Sequence, residues 1–175
     1  LVYHFTSRGS RFNKHAGGGA GQNSQEWIYT TTKNMRNFVR KWGTPVKHDA
    51  LMKPQILPKY DIGIILQGAT TELLRALEPW CSDIYGDWVG HKGFHVNKYI
   101  EEEQPNTQFD LSKKLHSLYT EPDNDVVVRF DASKLNQSNF QIIVNLSEIL
   151  QQSGEVGEME LEIFEFYINK LDTYE

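Results

Sequence analysis

The chain has 175 residues, 39% of them apolar and 12% aromatic, and a net charge of −5. That length suits one domain with a sizeable core, and the composition argues against a disordered chain or a membrane span. A single cysteine, Cys81, excludes an internal disulfide and a multi-cysteine zinc site. The charge is divided by position. Residues 1–60 carry ten Lys/Arg and two acids, a net of +8, whereas the remainder carries eight basic and twenty-one acidic residues, a net of −13. A cationic N-terminal third can face a phosphate-bearing ligand, and an acidic C-terminal strand can supply a carboxylate.

In chain order, Val2–Ser7 reads as a strand, and residues 8–25 as a loop rich in Gly, Ser and Asn. The start lacks a basic n-region and is expected to be the beginning of a trimmed domain rather than a signal peptide. Trp27-Ile28-Tyr29-Thr30-Thr31 is β-branched and aromatic, which predicts a second strand. Thr31 or Thr32 can cap a helix reaching Trp42, with Met35, Phe38, Val39 and Trp42 on one face. Gly43-Thr44-Pro45 ends it, and residues 46–60 are expected to be irregular.

Asp61–Leu66 predicts a third strand, followed by a helix from Thr70 with Leu73, Leu74 and Leu77 in a stripe. Residues 83–97 look loop-like, and Asp110 is a good N-cap for a helix over 111–119. Asp125–Asp131 predicts a strand with Val126, Val128 and Phe130 inward. Residues 138–153 carry apolar groups at helical spacing, with Gly154 as the stop, and 158–168 alternate as one half-buried strand. The expected class is mixed α/β or α+β in a single domain spanning 1–175.

Three segments can carry chemistry. On the first strand His4, Thr6 and Arg8 share a face, an imidazole, a hydroxyl and a guanidinium in a row that can hold a ribose and a phosphate. Tyr29, Thr30 and Thr31 place hydroxyls at a strand-to-helix junction. Glu158, Glu160 and Glu162 fall on one side of a period-two strand, where a carboxylate can stabilise a developing oxocarbenium ion. Each also has an ordinary reading: a polar edge face, helix capping and a solvated acidic face.

The order of an aromatic-His/Arg strand, a hydroxyl-rich segment running into a helix, and a late Glu-x-Glu strand resembles the ADP-ribosyltransferase superfamily, over about twenty residues in all. The resemblance implies a split β-sheet core with flanking helices and NAD as co-substrate. It implies that His4, Thr6, Arg8, Tyr29, Thr30 and Thr31 hold the dinucleotide. It makes Glu160 the catalytic carboxylate and Glu158 its partner, with a protein or nucleic-acid acceptor. The hydroxyl motif departs from the family's Ser-Thr-Ser, and the Glu register is shared between Glu160 and Glu162. No membrane partner is expected, and the location implied is cytoplasmic or that of a secreted toxin chain.

Other readings stay open. Asp61–Thr70 forms a strand–loop–helix unit that fits a Rossmann-like nucleotide-sugar-binding domain, with phosphate at the helix N-terminus by Thr70. His91 and His95 are spaced i, i+4, but Gly90 and Gly93 argue against a zinc-binding helix. His4 and His15 leave a nuclease open. The least chemical alternative is an immunity or adaptor domain with an exposed apolar patch around Trp80, Trp88 and Phe94.

Overall fold

The computed structural model describes residues 25–88 and 96–174. The chain divides into two units, Leu1–Arg36 and Asn37–Glu175. Of the first, the described part is the beginning of helix α1, Gln25–Trp42. This overturns the strand expected over Trp27–Thr31. Glu26 in the first turn and Arg40 and Lys41 in the last complement the helix dipole. Inside the helix the threonine hydroxyls turn back on the backbone, Thr31 to the Trp27 carbonyl and Thr32 to that of Ile28 at 2.7 Å. Once the amphipathic half from Met35 onward is nucleated, each further residue adds a hydrogen bond, and that outweighs β-propensity.

In the second unit the described strands form one six-stranded mixed sheet and two two-stranded ribbons. Within the described residues the sheet is undivided, where a split core was expected. Its strands are β4 (Ile62–Gln67), β5 (Asp83–Gly86), β6 (Leu115–Ser117), β7 (Val126–Asp131), β8 (Gly157–Leu161) and β9 (Phe164–Ile168). They lie in the order β6-β5-β4-β7-β9-β8, the first four parallel and β9 antiparallel to both neighbours. The ribbons pair β1 (Lys47–His48) with β2 (Pro54–Gln55), and β3 (Lys59–Tyr60) with β10 (Thr173–Tyr174). Short helices connect the sheet strands: α2 (Thr71–Leu77), α3 (Val96–Glu103), α4 (Leu111–Lys114), α5 (Phe140–Val144) and α6 (Leu146–Ser153).

The period-two pattern of β7 is borne out, with Val126, Val128 and Phe130 all buried. They join Ile62, Ile64 and Leu66 of β4 and Phe164, Phe166 and Ile168 of β9. Against this face pack Leu74 and Leu77 of α2, Tyr99 of α3, Leu111 of α4, Ile143 of α5, and Leu146 and Leu150 of α6. The described helices that pack on the sheet therefore share one side of it.

Several boundaries differ from expectation for identifiable reasons. Asp83–Gly86 is a strand because Ile84 and Tyr85 fill the slot beside β4. Asp110 does cap its helix, accepting from the Ser112 N–H at 3.1 Å, but the chain passes after Lys114 directly into β6. The helix over 138–153 is interrupted at Asn145, and Gly154 stops it with φ +61°. The strand over 158–168 is a hairpin: Leu161 pairs with Phe164, and Glu162 turns at φ +55°. Glu162 thus leaves the face that Glu158 and Glu160 share.

The opposite side of the sheet is closed over only part of its width. From the C-terminal end of β6, residues 118–125 travel to the N-terminal end of β7. Leu118 packs on Ile65, Tyr85 and Val127, and the Asn124 amide lies on Gly63. A Cβ at Gly63 would stand 2.2 Å from Asn124 Oδ1. That amide cannot yield cheaply. Its oxygen accepts from Tyr85 OH at 2.9 Å, and its nitrogen donates to Asp61 at 2.8 Å and Asp83 at 2.9 Å.

The helical side holds a buried ion cluster. Glu78 follows α2, and its carboxylate takes Arg40 Nη2 at 2.6 Å, Lys114 Nζ at 2.7 Å and the Tyr99 hydroxyl at 3.1 Å. Arg40 also reaches Glu103 at 2.9 Å. Burial works to raise the Glu78 carboxyl, but the charges of Lys114 and Arg40 overcome it and hold it below its ordinary value.

Two outcomes follow from these contacts. Gly63→Ala breaks the Asn124 network and is expected to cost about 2–4 kcal/mol in urea unfolding, by overpacking together with lost buried hydrogen bonds. Glu78→Gln leaves Arg40 and Lys114 short of a buried counter-charge and is expected to cost about 3–5 kcal/mol. Because Glu78 lies below the ordinary 4.5 only in the folded state, its contribution is present above that pH. It is lost as the pH falls through the folded value. Urea titrations at neutral and acid pH should show the gap between wild type and Glu78→Gln narrowing in acid.

Candidate functional site

The uncovered part of the sheet is where charged side chains gather. Register alone places His116, Tyr85, Ile65, Arg129, Glu165 and Glu160 in one row across six strands. The first half of the row is closed by residues 118–125, and Tyr85 and Ile65 are buried. The second half is open, with Arg129, Glu165 and Glu160 all exposed. One step toward the N-terminal end of β7, Tyr167 pairs with Glu158 on the same face. One step the other way, Gln67 pairs with Asp131 at the C-terminal edge. Glu158, Glu160, Glu165 and Tyr167 line a groove of about 380 Å³.

Arg129 is the cation of this half-face. Its guanidinium lies 5.7 Å from the centre of the Tyr167 ring, and among the described residues it makes no ion pair, although Glu165 is its cross-strand neighbour. The Tyr167 hydroxyl donates to Glu165 at 3.3 Å. The negative charge of Glu165 raises the Tyr167 phenol above its ordinary value, with Arg129 acting against it. At the edge, Asp131 accepts from the Ser133 hydroxyl at 2.7 Å and the Ser133 N–H at 2.9 Å, which holds it below the usual carboxylate range.

The C-terminal ends of β4 and β7 also form a topological switch point. β4 leads through α2 to β5 on one side, and β7 leads through α5 and α6 to β8 on the other. In doubly wound sheets, with helices on both faces, ligands sit in the crevice outside such strand ends; here the described helices share one face, and the other is left to the charged row. Around the phosphate position considered at Thr70, three N–H groups have acceptors within the chain. The Gly68 and Ala69 N–H groups each donate to Asp87 at 3.1 Å, and the Thr70 hydroxyl caps Leu73 at 3.2 Å. A carboxylate of the chain itself therefore occupies the two loop donors that precede the helix.

The residues singled out from the sequence are distributed as follows. Glu158 and Glu160 share the open half-face. Tyr29, Thr30 and Thr31 are exposed on α1 within the first unit, on a helix rather than at a strand end. His4, Thr6 and Arg8, with His15, His91 and His95, lie outside the described residues. Sequence reasoning missed Arg129, Asp131, Glu165 and Tyr167. Their signal was present in the odd positions of β7 and β9, Val127-Arg129-Asp131 and Glu165-Tyr167, polar or small in strands whose even positions are apolar.

Glu165→Gln is expected to bring the Tyr167 phenol back toward its ordinary value, and Arg129→Gln to raise it further. The carbon chemical shift of the Tyr167 ring, followed through alkaline titration, reads both. Comparison of the chain with protein-family models, with curated proteins and with solved structures finds no match.

Proposed function

We propose that the open half-face binds a dinucleotide of the NAD type and supports cleavage or transfer at its ribosyl carbon. The observation that carries this reading is the row Arg129–Glu165–Glu160, which ends beside Asp131 at the switch point. Arg129 supplies a guanidinium with no ion pair among the described residues, suited to a pyrophosphate. Asp131, kept ionised by Ser133, is an acceptor for ribose hydroxyls. Two strand spacings and two residues separate Asp131 from Glu160, a distance of about 12 Å, on the scale of a nucleotide.

In this reading the bond between the ribosyl carbon and the nicotinamide nitrogen breaks, and its electron pair leaves with nicotinamide. Glu160 stands against the oxocarbenium-like carbon, and its charge is worth most as positive charge develops there. Glu158 or Glu165 takes the proton from the attacking water or acceptor hydroxyl, closing the balance. The acceptor is a protein or nucleic-acid group, or water.

A non-catalytic interaction domain is the second reading. It is favoured by one observation, the exposed apolar side chains Trp42, Val46 and Ile56 around one groove, with Leu51 and Met52 exposed on the turn between β1 and β2. Of the patch expected around Trp80, Trp88 and Phe94, the two tryptophans are partly buried and pack on the core, and Phe94 lies outside the described residues.

Calorimetric titration with NAD and ADP-ribose, with nicotinamide release measured alongside, separates the two readings. The expected outcome is release that disappears in Glu160→Gln with binding retained, and binding weakened about tenfold or more in Arg129→Gln. A folded protein that binds neither ligand would leave the interaction domain standing.

A further inference from the structure

The β1–β2 ribbon carries a surface that the dinucleotide reading does not use. The two strands are held in register by Lys47 opposite Gln55 and His48 opposite Pro54. The tip between them is fastened from within. The Asp49 carboxylate accepts the N–H groups of Leu51 and Lys53, both at 2.8 Å, and the Asp49 carbonyl accepts that of Met52 at 3.0 Å. Met52 adopts φ +62°, a conformation that an apolar L-residue takes only under constraint. This ordered turn holds Leu51 and Met52 each 75% exposed, and Ile56, just after β2, is 80% exposed. Lys47 anchors the ribbon to α6 through Glu148.

Beside the tip runs a concave groove of about 290 Å³, lined chiefly by Phe38, Trp42, Pro45, Val46, Pro54 and Ile56. Exposed lysines stand next to it. Lys41 lies 5.0 Å over the Trp42 ring, and neither Lys41 nor Lys53 makes an ion pair among the described residues. The neighbouring carboxylates are engaged elsewhere, Asp49 in the tip and Glu148 on Lys47. The surface is therefore an apolar channel beside three lysines, Lys41, Lys47 and Lys53, and two carboxylates, Asp49 and Glu148, which leaves a small positive excess.

We infer that this groove docks an acidic amphipathic helix of a partner protein. The apolar side chains of that helix would fill the channel, and its carboxylates would meet Lys41 and Lys53. Concavity favours a helix whose anchors repeat at i, i+3, i+4 and i+7 over a flat lipid surface. The lysines select acids over bases by charge complementarity and accelerate the encounter. Leu51 and Met52 extend the contact beyond the channel, and flexible Met suits such adaptable surfaces.

The test uses the full chain and a labelled synthetic helix with leucines at the anchor spacing and glutamates on its other face, read by fluorescence anisotropy. Expected is saturable binding, weakened about tenfold in Leu51→Ser/Met52→Ser and in Lys41→Glu/Lys53→Glu. All four positions are exposed, so melting curves of Leu51→Ser/Met52→Ser should overlay the wild type, while Lys41→Glu/Lys53→Glu, which places an acid in the last turn of α1, should melt slightly lower and still in one cooperative step. The inference is overturned by no binding, or by equal binding of a helix with lysines in place of the glutamates. It is overturned equally by tighter capture on phosphatidylserine vesicles, or by self-association in sedimentation that Leu51→Ser/Met52→Ser abolishes.

Discussion

The buried carboxylate of Glu78 is the constraint around which the helical layer is arranged. It sits at the end of α2 with no access to water, and its charge is compatible with burial only because Arg40, Lys114 and Tyr99 converge on it. Those partners come from α1, α4 and α3, so four segments distant in sequence must reach one point together. Arg40 carries the constraint further by binding Glu103 at the end of α3. Apolar packing alone would tolerate a helix sliding by a fraction of a turn, but a bidentate guanidinium does not. The helices are short, and none of them is stable by itself. Their placement depends on this cluster as well as on the apolar side chains beneath.

With the helices assigned to one side, residues 118–125 are what covers the other side of the sheet among the described residues. That connection reaches over β5 and β4, where Gly63 makes room for it, and stops at β7. The strands beyond must therefore present side chains compatible with water. Arg129, Glu165, Glu160 and Glu158 are those side chains, and the open half-face is a direct result of the way the connection runs. Across five strands, from β5 to β8, this side is a graded surface, apolar and closed at Tyr85 and Ile65, charged and open at Arg129 and beyond.

Much of this was legible in the amino-acid order. The inward set Val126, Val128 and Phe130, the helix start near Thr70, the cap at Asp110 and the stop at Gly154 are local signals, and local physics decides them. What was not legible depended on segments outside the short window being read, whether adjacent or far along the chain. Asp83–Gly86 has the glycine spacing of a loop, and becomes a strand because β4 offers it a hydrogen-bonding edge. Trp27–Thr31 has strand composition, and becomes helix because the amphipathic segment after it propagates backward. Of the candidate site, Glu158 and Glu160 were visible through their alternation. Arg129 and Tyr167 were not, since their significance lies in the register that sets β7 against β9 and β9 against β8.

The placement of β4 also bears on how the chain reaches this state. Its contact with β5 closes across α2, a span of some twenty residues, whereas its contact with β7 joins residues 62–67 to 126–131. The entropy of closing that larger loop must be met before the centre of the sheet exists. The β4–α2–β5 unit and the β8–β9 hairpin are thus the segments able to form early, each leaving an apolar face without cover. Assembly then waits on β7, the strand that touches both, and the time before it docks is when the chain is most exposed to association with other unfolded chains.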